Sequence, residues 1–166
     1  MSDAPSYPLQ VLLVEDDPAD ALLVEDAFAT HRLPSRLHHV IDGIEAMHFL
    51  RREGRYAAAP RPDLVLLDLN MPRLNGREVL AQVKIDEQLK TIPVVVFTTS
   101  ATGTDILASY AAHANAYITK PLNLDRFEEV IAKIYDFYGE VVTRPLPPQR
   151  PDRPADSRAG QAPFNG

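Results

Sequence analysis

Short apolar runs alternate five times with longer segments whose apolar positions recur at helical spacing. Leu9 to Val14, Leu64 to Leu67 and Val94 to Phe97 are continuous and rich in Val and Leu, as strands covered on both faces must be. Arg36 to Ile41 and Ala116 to Ile118 are weaker runs that fill the remaining strand places. Amphipathic segments lie between them at Pro18 to His31, Gly43 to Gly54, Gly76 to Asp86, Gly103 to Ala114 and Leu124 to Tyr138. In the last of these, Phe127, Val130, Ile131, Ile134 and Tyr138 fall at i, i+3, i+4, i+7 and i+11, which is one helix face. Strict alternation of this kind predicts an α/β fold: a doubly wound, five-stranded parallel sheet flanked by five helices, with right-handed crossovers. No internal repeat interrupts it.

The pattern runs out at both ends. Residues 1–8 read as an N-terminal extension and 9–142 as the folded domain. Residues 143–166 hold six of the 15 prolines, four Arg and two Asp with almost nothing to bury, so a disordered Pro-rich tail is expected there. The whole chain carries −6; without the tail's net +2, residues 1–142 carry −8, from 13 Lys and Arg against 21 Asp and Glu. That balance disfavours nucleic acid, whose nonspecific affinity comes from Lys and Arg on phosphate. No apolar run approaches the roughly 20 residues that cross a bilayer, and Met1 to Pro8 lack the marks of a secretory signal, so no membrane contact and a cytoplasmic location are expected. With no cysteine, the chain has no disulfide, thiolate cluster or cysteine nucleophile.

Ligands of open parallel sheets bind beyond the carboxyl ends of the strands, so the residues just after each run carry the information. The first run ends in Glu15, Asp16 and Asp17, the third in Asp68-Leu69-Asn70-Met71-Pro72, the fourth in Thr98-Thr99-Ser100 and the fifth in Lys120-Pro121. Each has an ordinary structural reading on its own: Asp17 before Pro18 is a helix N-cap, with Asp20 a favourable charge in the first turn. Together they place several carboxylates on one edge, where each close pair repels by about 4 kcal/mol at an effective dielectric near 20. A hard divalent cation with oxygen ligands and open water positions, Mg2+, suits that edge, with Lys120 supplying a second positive charge.

Val14-Glu15-Asp16, Asp68-Leu69-Asn70-Met71-Pro72 followed by Gly76, Val96-Phe97-Thr98 and Tyr117-Ile118-Thr119-Lys120-Pro121 resemble the receiver domain of two-component response regulators, the family of the chemotaxis regulator CheY. The resemblance spans about Leu9 to Tyr138 and implies the strand order 2-1-3-4-5. It implies Asp68 as the phosphoacceptor, Asp16 as a direct ligand of Mg2+, Glu15 as a ligand through water and the Asn70 backbone carbonyl as a further ligand. Lys120 would touch the phosphoryl group, Thr98 would sense it by hydrogen bond, and Tyr117 would change rotamer with the switch. Asp17 falls one place past the acidic pair and keeps its capping role.

The residue types suit that chemistry. An ionised Asp attacks phosphorus without a general base, and Mg2+ with Lys120 stabilises charge on the transferring oxygens. Asn70 stands where aspartyl-phosphate phosphatases of the haloacid dehalogenase type carry a second Asp, which argues against that activity and for a long-lived phosphorylated state. Thr99 replaces the small residue usual beside the switch hydroxyl, and its bulk is expected to crowd the site. The stretch from Arg51 to Asp63, with Thr98-Thr99-Ser100 and Tyr110 to Asn115, resembles small single-domain regulators that partner bacterial phytochromes and related sensor kinases. No Gly-rich phosphate loop follows the first strand, which argues against nucleotide or flavin binding.

His38 and His39 are neighbours on a strand and point to opposite faces, so they cannot share a metal. His31, His48 and His113 have surface or packing roles. Only the Pro-rich segment follows Val142, so output is expected through protein contact or phosphorelay rather than an effector domain. A receiver fold that acts as a phosphorylation-independent scaffold is the alternative. A homodimer is expected through the fourth helix, fifth strand and fifth helix. Tyr135 and Phe137 there lie beside the apolar stripe that ends at Tyr138, and Ile106, Leu107, Tyr110 and Ala111 repeat the excess.

Overall fold

The computed structural model describes residues 7–31 and 34–146. Most of the expected N-terminal extension and of the Pro-rich tail therefore lies outside the described residues.

Five parallel strands, β1 (Leu9–Val14), β2 (Ser35–Val40), β3 (Leu64–Leu67), β4 (Val94–Thr98) and β5 (Ala116–Thr119), form one sheet in the order 2-1-3-4-5. The helices that connect and follow them are α1 (Pro18–Ala29), α2 (Gly43–Arg51), α3 (Gly76–Ile85), α4 (Gly103–Ala111) and α5 (Leu124–Asp136). A short 3-10 turn, Gly54–Tyr56, leads toward β3, and a π-helical turn, Phe137–Val141, prolongs α5. The apolar alternation thus marks each strand to within a residue at either end, while the helices stop earlier than the periodicity suggests. Arg52, in the left-handed region at φ 57°, ends α2, and His113 at φ 69° follows α4.

Alternation of side chains along each strand divides the core in two. Leu9, Val11 and Leu13 of β1 point to one face, where Ala21, Val24 and Phe28 of α1 meet Phe127, Ile131 and Ile134 of α5. Leu12 and Val14 point to the other, against Ala46, Met47 and Leu50 of α2 and Val79, Leu80 and Val83 of α3. β1, β3 and β4 are covered on both faces, which explains their unbroken apolar runs. β2 and β5 are the edge strands and are only half-buried, which is why their runs are the weak ones. No helix among the described residues is long and apolar enough to cross a membrane.

Tyr135 corrects one expectation. It is fully buried, not beside the stripe, because α1 packs along α5 as well as the sheet does. Its ring meets Phe28 edge-on at 4.8 Å and stacks on His31 at 4.2 Å. Phe137, one residue past α5, is half exposed.

Segments that flank the domain on either side are joined near the N-terminal edge of the sheet. Arg144, placed by sequence in the tail, donates to Asp63 at 3.1 Å and to the Tyr7 carbonyl at 2.7 Å, while Asp63 also accepts the Gln10 N–H at 2.8 Å.

Candidate functional site

Strand register assembles the site. Val14 of β1 pairs with Leu67 of β3, so the next residues, Glu15 and Asp68, emerge side by side. Thr98 ends β4 opposite Thr119 of β5, and Lys120 follows directly. Glu15, Asp68, Thr98 and Lys120 are all buried. A tight passage into α3 fixes Asp68: a Cβ on Gly76 would lie 2.0 Å from the Asp68 carbonyl oxygen, so only glycine lets the helix start this close. Asn75 then caps α3 in a reciprocal box with Glu78.

One carboxylate oxygen from each of Glu15, Asp16 and Asp68 lies within 4.8 Å of the others. The Lys120 ammonium stands among them, 2.5 Å from Glu15, 2.8 Å from Asp20 and 3.3 Å from Asp68. Asp20 is the first-turn charge of α1 that the sequence leads one to expect, and its bond to Lys120 is a second role that sequence reading did not give it. It sits in the first turn of α1, and the capping carboxylate of Asp17, which accepts the Ala19 N–H at 2.8 Å and the Asp20 N–H at 3.4 Å, orients that turn. Asp17 therefore caps, as expected, and takes no part in the acidic group.

The charges are unbalanced. Burial is the largest influence on Glu15 and pushes its carboxyl up to about 7; the Asp68 charge adds to the rise, and Lys120 and the Asp17 N–H only partly offset it. For Lys120 burial alone acts downward, but the hydrogen bonds to Asp20 and Glu15 and the charges of Glu15 and Asp68 prevail, so the ammonium is held above its ordinary range. Three carboxylates thus share one firmly protonated amine, and Asp16 stands beside them. The set is all oxygen, three-sided and partly open through exposed Asp16, which fits a hard divalent cation with several retained waters.

The other expected residues flank this group. The Asn70 N–H donates to Asp68 Oδ1 at 3.3 Å, which holds the β3–α3 loop against the carboxylate. Thr98 is fully buried, and its hydroxyl accepts the Ser100 N–H at 3.4 Å. Tyr117 is half-buried against the α2–α3 side of the core, with its hydroxyl donating to the Ser100 carbonyl at 2.7 Å. The histidines stand apart from one another: His38 bonds Gln10 at 2.8 Å, and His39 bonds the Glu15 carbonyl at 2.7 Å. Ser100, which the sequence places just past β4, joins Arg77 and Asp105, which sequence reading missed, in one network beside the site.

Known proteins share both sequence and shape with this chain. Residues 11–132 match the response regulator receiver domain. The response regulator Rcp1 of Synechocystis sp. is 46% identical over 145 residues, 87% of this chain and 99% of the relative. A crystal structure of the phosphorylated cyanobacterial phytochrome response regulator RcpA has a TM-score of 0.82 at 47% identity, covering 84% of this chain and all of that one. The Mn2+-bound form of Rcp1 gives a TM-score of 0.80 at 46% identity, with the same coverage. With the strand order, the acidic edge and the buried lysine in place, these matches show that the chain belongs to the response regulator receiver domain family.

Proposed function

We propose that this receiver takes a phosphoryl group on Asp68 from the phosphohistidine of a sensor histidine kinase, with Mg2+ bound, and signals through protein contact. The observation that carries this reading is the Asp68 carboxylate itself. It is buried at the end of β3, 3.3 Å from the Lys120 ammonium and within 4.8 Å of Glu15 and Asp16. The similarity to phytochrome response regulators supports a phytochrome-type kinase as the partner. A kinase that draws on ATP operates in the cytoplasm, and the receiver belongs in the same compartment.

In the transfer, an ionised Asp68 oxygen attacks phosphorus as the P–N bond to the kinase imidazole breaks, and the imidazole leaves to take up a proton from solvent. No base is needed. Lys120 meets the charge that builds on the equatorial oxygens, from a position its carboxylate partners already hold. Asp16 directly, Glu15 through water and the Asn70 carbonyl would hold Mg2+, which supplies charge neutralisation at the transferring oxygens. The Mn2+-bound form of Rcp1 supports a divalent ion of this kind. Water later attacks phosphorus, the P–O bond to Asp68 breaks, and inorganic phosphate leaves. Asn70, an amide, offers no general base to speed that step. Thr98 turns from the Ser100 N–H toward the phosphoryl oxygen, and Tyr117, already inward on the Ser100 carbonyl, is held by the same loop.

Self-association through α4, β5 and α5 is part of the reading. Among the residues of α4 only Ser109 is buried, while Leu107, Tyr110 and Phe137 are at least half exposed or nearly so. Apolar surface of that extent suits a second copy.

Intact-protein mass spectrometry after incubation with acetyl phosphate and Mg2+ tests the acceptor. Wild type is expected to gain one labile phosphoryl adduct and Asp68→Asn none; equal adduct on the variant would falsify the assignment. A wild-type chain that takes no adduct, yet binds its kinase, would favour the phosphorylation-independent scaffold.

A further inference from the structure

Arg77 and Asp105 take no part in the chemistry described above, yet they bridge the loops that follow Asp68 and Thr98. Arg77 lies in the first turn of α3 and Asp105 in the first turn of α4. The guanidinium grips the carboxylate with both arms, Nε to Oδ1 at 2.9 Å and Nη2 to Oδ2 at 2.8 Å, and its third nitrogen donates to the Asn70 side-chain oxygen at 3.4 Å. On the other side, the Ser100 hydroxyl donates to Asp105 Oδ2 at 2.6 Å. The pair therefore reaches the β3–α3 loop through Asn70 and the β4–α4 loop through Ser100.

Both loops touch the reacting group or its sensor. The Asn70 N–H lies on Asp68, the Ser100 N–H lies on the Thr98 hydroxyl, and the Ser100 carbonyl receives the Tyr117 hydroxyl. A two-armed Arg–carboxylate pair fixes direction as well as distance, which a lysine could not do. The Ser100 hydroxyl and Arg77 also hold the Asp105 carboxyl below its usual range, so the pair stays charged through neutral pH. Asp105 is only 17% exposed and Arg77 41%, so the contact is partly shielded without being part of the core.

We propose that Arg77 and Asp105 are positioning residues of the phosphoacceptor site, whose pair clasps the Asn70 and Ser100 loops over Asp68 and so sets the lifetime of the phosphorylated state. The inference rests on Asp68 being the acceptor. Hydrolysis needs a water in line with the P–O bond to Asp68. The clasp restricts that approach by keeping the two side chains that flank it in place, and it holds Thr98 and Tyr117 in register with them. Without it the loops part, water enters in line more often, and the phosphoryl group is lost sooner.

The experiment follows decay of the phosphoryl adduct by intact mass after removal of acetyl phosphate, in the full chain with Mg2+. Arg77→Ala and Asp105→Ala are each expected to shorten the half-life three- to tenfold. The double variant should decay no faster than either single one, because both remove the same clasp. Arg77→Lys should fall between, since it keeps the charge and loses the fork. A purely structural pair would instead lower the thermal midpoint of the unphosphorylated chain and leave the half-life alone. Wild-type half-lives in both single variants, or effects that multiply in the double, would overturn the proposal. An adduct that persists on Asp68→Asn overturns the acceptor reading instead, and the two failures are told apart in one set of spectra.

Discussion

Replacing Glu15 by Gln isolates the electrostatics of the site from its chemistry. Folding moves this carboxyl from 4.5 to about 7, with burial the leading cause and the Asp68 charge adding to it. The folded state then binds its proton more tightly than the unfolded one, so the stability of the wild type falls as pH rises between those two values. At about 1.4 kcal/mol per unit, ionised Glu15 lowers stability by about 3 kcal/mol above neutrality. A neutral Gln escapes this penalty. Glu15 accepts from Lys120 at 2.5 Å and from the Asp17 N–H at 3.0 Å, and the single amide oxygen cannot serve both. That loss returns about 1 kcal/mol. In EDTA at pH 8 the variant should therefore be more stable than wild type by about 1–2 kcal/mol, or a few degrees in Tm. By pH 5, where folded wild type is already protonated, that penalty is gone and only the lost hydrogen bond remains, so the variant should be the weaker by up to about 1 kcal/mol. Mg2+ should reverse the order, because a cation at about 100 times its Kd adds about 2.7 kcal/mol to the wild type and less to a variant that has lost an anionic ligand. Urea unfolding followed by circular dichroism at pH 5 and 8, with EDTA or Mg2+, measures all four values. A difference that ignores pH, or a variant weaker than wild type in EDTA at pH 8, refutes the reasoning.

Gly76→Ala should destabilise by about 2 kcal/mol or more and reduce phosphorylation, since the new Cβ would meet the Asp68 carbonyl and the Leu69 Cα rather than a side chain that can move; urea unfolding and adduct yield measure it. Asp42, buried under Arg73 and capping α2, is opposed by burial but held below its usual range by the Glu45 N–H and Arg73. Its contribution is present above the ordinary carboxylate range and lost as pH falls through the depressed folded value, so Asp42→Asn should lose about 1–3 kcal/mol at pH 7 and little at pH 2 in chemical denaturation. Sedimentation equilibrium should find a wild-type homodimer at micromolar concentration, weakened at least about tenfold by Leu107→Glu with Phe137→Glu. A monomer with and without beryllofluoride removes that surface from consideration.

Periodicity alone located the strands, because β1, β3 and β4 are buried on both faces and must be apolar throughout. Placing chemistry just past their ends followed from the geometry of parallel sheets, and Asp17 was legible as a cap because its partners are only two and three residues away. Everything that depends on side chains distant in sequence needed the folded chain. Lys120 and Asp20 are 100 residues apart and meet only because β1 and β5 end on the same edge. Asp105 carries no local sign that Arg77, 28 residues earlier, will grip it. Tyr135 looked like surplus surface because a single helical stripe was counted against the sheet, whereas α1 packs on the same helix and needs a second stripe. Local pattern records what each segment must bury; which groups then face one another is decided by register and helix packing, which bring together residues that no sequence window contains.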